Sequence, residues 1–142
     1  MKKLIIFSLF IFTCLLSLSQ TVSGYWYGNA NVKQKTSTNN YLIELILEQN
    51  KTQVRGVVNY YFKKNFRSVK VNGNYNSLTR QLTLFNIPLT YHGSLNDMEV
   101  DCMMDFVATL RVSKISSNLI GNFQGKPDYK YICGEVSFNL SL

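Results

Sequence analysis

From Met98 onward the chain alternates between apolar and polar residues. Val100, Cys102, Met104, Phe106, Ala108, Leu110 and Val112 share one side of an extended backbone, and Glu99, Asp101, Asp105, Thr109, Arg111 and Ser113 share the other. Successive strand residues point to opposite faces, so this run predicts one long half-buried strand, or two meeting at a corner. Val136, Phe138, Leu140 and Leu142 alternate in the same way with Ser137, Asn139 and Ser141. Val54 to Val58, Val69 to Val71 and Leu82 to Leu84 repeat the pattern. No segment after residue 20 carries a helical period with caps. Tyr41 to Gln49 has the Leu and Glu content of a helix, but its short span between polar stretches predicts a strand.

Turn-forming residues cluster at Lys33 to Asn40, Gln49 to Thr52, Lys63 to Phe66, Asn76 to Arg80, Tyr91 to Asn96, Ser113 to Asn118 and Gly125 to Lys130. They cut the chain into about eight strands with short connections, the layout of an antiparallel meander. A glycine with apolar residues two positions away on each side recurs at Gly56, Gly73 and Gly121. Glycine within a strand marks a bend or a close backbone approach, and a small closed barrel needs such bends. The expectation is an all-β, single antiparallel barrel of about eight strands, with a β-sandwich as the alternative.

The first strand contains Gly24-Tyr25-Trp26. This Gly-x-Trp on the opening strand of an eight-strand meander resembles the calycin group, the lipocalins, avidins and their relatives. The resemblance implies that Trp26 closes the floor of the barrel. It departs from lipocalins in one respect: Asn139 to Leu142 offers no arginine to lie over that tryptophan.

The N-terminus changes the picture of the compartment. Lys2 and Lys3 precede Leu4 to Leu18, a run without charge, and Ser17-Leu18-Ser19 supplies small residues for cleavage before Gln20. As a helix this run spans about 22 Å, short of a hydrocarbon core of roughly 30 Å. Residues 1–19 are therefore expected to be a signal peptide and 20–142 one β-barrel domain, exported to a periplasm or to the extracellular space. Cys14 lacks the small residue before it that a lipid-attachment box requires. Loss of the signal leaves 13 basic residues against 8 acidic ones, net +5. Two cysteines then remain, Cys102 and Cys133, and an exporting compartment favours their disulfide. The alternation from Ile132 to Leu142 argues the other way, for two free thiols, unless Gly134 resets the parity.

Candidate chemistry is sparse. Asp97, Glu99 and Asp101 share a strand face, but i and i+2 residues lie ~6.6–6.8 Å apart and no glycine-turned loop wraps them, so a solvated acidic face is favoured over a Ca²⁺ site. His92 lies beside Ser94 in one loop without a nucleophile elbow, which does not build a triad. No catalytic residue, metal or cofactor is expected, and the protein is read as a non-enzyme.

Lys51, Arg55, Lys63, Lys64, Arg67 and Lys70 are instead concentrated within twenty residues, interleaved with Tyr60, Tyr61, Phe62 and Phe66. Tyr61, Lys63, Lys64, Phe66, Arg67 and Lys70 form the candidate recognition face. Its partner would be an anionic macromolecule or surface: a glycan, cell wall, lipid headgroup or acidic protein, with nucleic acid disfavoured outside the cell. The acidic stretch from Asp97 to Asp105 is expected to lie apart from it, making the molecule bipolar. A carrier of a small apolar ligand is the alternative, with Gly56, Ala108 and Gly121 lining a cavity. Against it stand the bulky inward positions Trp26, Tyr60, Phe62, Met104, Phe106, Phe123 and Phe138.

Overall fold

The computed structural model describes residues 20–32, 39–93 and 98–142. Residues 1–19, expected to be a signal peptide and containing Cys14, lie outside them, as do Ser94 and Asp97. Eight strands follow in chain order: β1 Gly24–Asn31, β2 Asn40–Asn50, β3 Gln53–Phe62, β4 Asn65–Asn76, β5 Gln81–His92, β6 Glu99–Val112, β7 Ser117–Gly125 and β8 Val136–Ser141. Each pairs antiparallel with the next, and β8 closes on β1 through Tyr27–Ser141 to Asn31–Ser137. This closure excludes two open sheets, and the described residues contain no helix. The ambiguous Tyr41–Gln49 segment lies within β2, and the long alternating run is the single strand β6.

Alternation fixes which side chains enter the barrel. Trp26, Tyr60, Phe62, Met104, Phe106, Phe123 and Phe138 are all buried. Burying one large apolar side chain contributes about 1.5–3 kcal/mol relative to leaving it in water. Phe106 and Phe138 stack with centroids 4.2 Å apart, and Phe123 meets both edge-on at 5.3 and 5.4 Å. Trp26 sits at the end where β1 begins, and its indole N–H donates to the Val22 carbonyl at 2.9 Å. Gly24, two residues earlier, has φ of +143°, a backbone conformation that disfavours any side chain. The opposite end is filled by Tyr41 stacked on Phe62 at 5.0 Å, with Tyr60 edge-on to Tyr41 at 6.1 Å. At Gly56, Gly73 and Gly121 a Cβ would overlap the carbonyl oxygens of Ile46, Thr83 and Val107 on the neighbouring strands. The repeated glycines are thus sites of close backbone approach.

Cys102 on β6 and Cys133 form a disulfide, with Cα atoms 6.4 Å apart. The parity argument for free thiols fails because β8 begins only at Val136. Cys133 belongs to the turns after β7, where strand alternation does not apply.

One seam of the barrel is incomplete. β4 and β5 pair only from Gly73–Leu84 to Asn76–Gln81, so residues 65–72 have no ladder to β5. The cause lies in β5. An irregularity at Phe85–Asn86 shifts its register, Asn86 takes φ of +56°, and the Asp105 carboxylate accepts the Asn86 N–H at 3.0 Å. Lys126 holds that carboxylate from the other side at 2.7 Å. Two residues on, Pro88 removes a donor that a ladder to β4 would use.

The β5 edge is nevertheless sealed, by side chains in place of a strand. Tyr60 Oη donates to the Pro88 carbonyl at 2.9 Å and accepts the Thr90 N–H at 3.1 Å. Tyr41 Oη donates to the Thr90 carbonyl at 2.7 Å. Asn39 completes the row, accepting the His92 N–H at 2.7 Å and donating to its carbonyl at 2.9 Å. Buried backbone groups need partners wherever they come from, and three tyrosine and asparagine side chains supply them here.

Candidate functional site

The β3–β4 hairpin stands away from β5 as a result. Residues 65–68 and 70 are exposed and Val69 is half-buried, although Val71, Gly73 and Tyr75 further along β4 are buried. Lys63 and Lys64 make a two-residue turn closed by Phe62–Asn65, with Lys63 at φ of +55°. Such turns suit the twist of a hairpin when the first central residue has positive φ.

The register then sorts the candidate residues onto two sides. Tyr61 and Phe66 are directly paired, point outward, and lie 4.9 Å apart at 48°. Lys70 points outward opposite Val57, and Lys64 is exposed in the turn. Lys63 and Arg67 turn instead toward β5 and β6. Lys63 Nζ lies 3.1 Å from Glu99, 3.4 Å from His92 Nδ1 and 5.3 Å from the Phe62 ring centroid. Arg67 donates to Asp101 at 3.1 Å, and Asp101 also accepts the Thr90 hydroxyl at 2.9 Å.

This corrects the expected bipolarity. Glu99 and Asp101 cross the open seam and neutralise two of the hairpin's cations instead of forming a distant acidic pole. Both pairs are exposed, so each is worth about 0–1 kcal/mol. Among the described residues, Arg55, Lys64 and Lys70 are the hairpin cations in no ion pair.

The outward face extends further than the basic segment suggests. Rows across β1 to β4 read Tyr25–Ile46–Val57–Lys70, Tyr27–Glu44–Asn59–Ser68 and Asn29–Leu42–Tyr61–Phe66. Tyr25, Tyr27, Leu42, Ile46, Tyr61 and Phe66 are each more than two-fifths exposed. Six large apolar groups on one side of four neighbouring strands form a patch of the kind that interaction surfaces use. Glu44 lies within it, and its carboxylate, with some desolvation, holds the Tyr25 phenol above its ordinary value of 10.0. Outward parity of Tyr25 and Tyr27 was legible in the sequence. Leu42 and Ile46 were not singled out, although their alternation with Tyr41, Ile43 and Leu45 carries the signal.

Beside Lys70 the face opens into a groove of about 720 Å³, walled by Ile46, Arg55, Val57, Asn72 and the bulged Phe85–Asn86. Among the described residues, no helix is long and apolar enough to cross a membrane, and no group of three or more His, Cys, Asp or Glu is placed to hold a metal ion. The closed meander is consistent with a calycin-like architecture. No protein-family model matches this chain, and no curated protein matches it either.

Proposed function

We propose that the protein is an exported, non-enzymatic interaction module whose outer β1–β4 face docks an anionic macromolecule. One observation carries this reading: residues 65–68 of β4 are exposed on both sides, and the hairpin presents the tilted Tyr61–Phe66 pair together with Lys64 and Lys70, which are in no ion pair. Aromatic rings supply contact area at low entropic cost, while exposed cations steer anionic surfaces toward them. The disulfide fits an exporting compartment. The carrier reading has weaker support, because bulky inward side chains occupy the positions that would line its cavity. A calycin-type relationship would account for the Gly24-x-Trp26 opening and the meander, and it supplies no ligand.

The test is retention on a sulfated glycan matrix, anionic vesicles and an immobilised acidic polypeptide. Wild type should be retained on at least one at about 50 mM salt and released near 300 mM, as the screening length falls from ~14 to ~6 Å. Lys64→Glu with Lys70→Glu should abolish retention without lowering the melting temperature, since neither lysine has an ion-pair partner to lose. Equal retention of both proteins at every salt concentration rejects the reading.

A further inference from the structure

We infer that the open edge of β4 takes up an extended acidic polypeptide segment as an added strand, a mode that rests on the anionic-partner reading above. The backbone supplies the first argument. The Tyr75 N–H donates to the Thr52 carbonyl at 2.8 Å, which turns odd-numbered β4 residues toward β3. Bonding direction alternates along an antiparallel strand, so Phe66, Ser68, Lys70 and Asn72 direct their N–H and C=O groups toward β5. No ladder to β5 reaches Phe66, Ser68 or Lys70. Such a row is a template for another strand, and proteins that do not use one normally cover or shorten it.

The two sides of the seam are not equivalent. On β5, Tyr60, Tyr41 and Asn39 already occupy the groups facing β4, and Pro88 has no N–H to offer. On β4 the residues that carry those groups are exposed. An incoming segment therefore pairs with β4 alone, and β5 is protected from it.

Charge selects the occupant. Side chains of an added strand alternate between the outward row of Phe66, Ser68 and Lys70 and the seam side beside Val69. Carboxylates on the outward positions would meet Lys70 and, past the groove, Arg55. Apolar or β-branched residues between them would cover half-buried Val69. A second copy of this chain is a poor occupant, because it would bring the Lys64, Arg67 and Lys70 of both copies to one seam.

The probe is an acidic octapeptide with glutamate at alternate positions and valine or threonine between, titrated into the full mature chain. Three comparisons accompany it: the same peptide N-methylated at alternate residues, a lysine-for-glutamate version, and Ser68→Pro protein. Ser68→Pro removes an edge donor and no β3–β4 bond, whereas Val69→Pro removes a donor facing β3 and serves as the folding control. The acidic peptide should bind wild type, while one N-methylation pattern and Ser68→Pro should each weaken it by about tenfold or more. The lysine peptide should not bind. Equal affinity for the acidic peptide and both of its N-methylated patterns overturns strand addition, since methylation leaves the protein untouched. Retention on sulfated glycan with no peptide binding also overturns it, while leaving the anionic-partner reading intact. Failure to bind any polyanion ends both.

Discussion

Two buried tyrosines show what a single hydroxyl does in this barrel. Tyr60 Oη serves the Pro88 carbonyl, the Thr90 N–H and the Thr90 hydroxyl, whereas Tyr75 Oη is buried without a hydrogen-bond partner. The same substitution should therefore act in opposite directions. Tyr60→Phe leaves β5 backbone groups unsatisfied and should cost about 1–3 kcal/mol. Tyr75→Phe removes a desolvated hydroxyl with nothing to lose, and should leave stability unchanged or raise it by up to about 1 kcal/mol. Urea unfolding of both variants checks the pair. At this scale the sequence was legible wherever alternation decides burial, so Trp26, Tyr60, Phe62 and Phe106 could be placed inward from the pattern alone. The partners of their polar atoms were not legible. Nothing local ties Asn39 to His92, 53 positions away, or Tyr60 to Thr90, 30 positions away.

At the scale of elements, the departure of β4 from β5 sets the surface chemistry. Pro88 inside an apolar run was a signal for it, because a prolyl nitrogen cannot serve a ladder and belongs at an edge. The bulge at Phe85–Asn86 was not, since it depends on Asp105 reaching across from β6. Patterning likewise missed the ion pairs Lys63–Glu99 and Arg67–Asp101, which depend on how far the hairpin leans over the seam. The suture along β5 has a pH signature. Burial holds the Tyr41 phenol far above its ordinary value of 10.0, and the neighbouring Tyr91 and Tyr60 push it the same way more weakly. The folded state keeps the proton that the unfolded chain gives up, so this contribution is complete below pH 10 and lost progressively as pH rises beyond it. The melting temperature should fall above about pH 10, and Tyr41→Phe should fall less steeply over that range.

The whole molecule combines a closed barrel, filled at both ends by aromatic side chains, with one hairpin that leans away from it. The Cys102–Cys133 disulfide ties the turns after β7 to β6, across a sequence separation of 31. A loop of that length corresponds to roughly 3–4 kcal/mol in the chain-entropy view. The Cys102→Ser, Cys133→Ser double variant should thus show a clearly lower urea midpoint while retaining its β-sheet circular dichroism. The fold class was legible because a single period runs through nearly the whole chain and short turns admit few topologies. The chemical identity of a partner was not, because the proposed recognition would use exposed side chains that no packing constraint dictates.

The central claim is that recognition occurs on the outside of β3 and β4 and not within the barrel. Amide chemical-shift mapping of uniformly ¹⁵N-labelled mature protein, titrated with an anionic polymer that it retains, tests this most directly. The account predicts that the largest shifts fall on Tyr61 to Asn72, with smaller ones at Leu42, Ile46 and Tyr25. Shifts centred on the inward positions Trp26, Phe106, Phe123 and Phe138, with the hairpin unchanged, would contradict it.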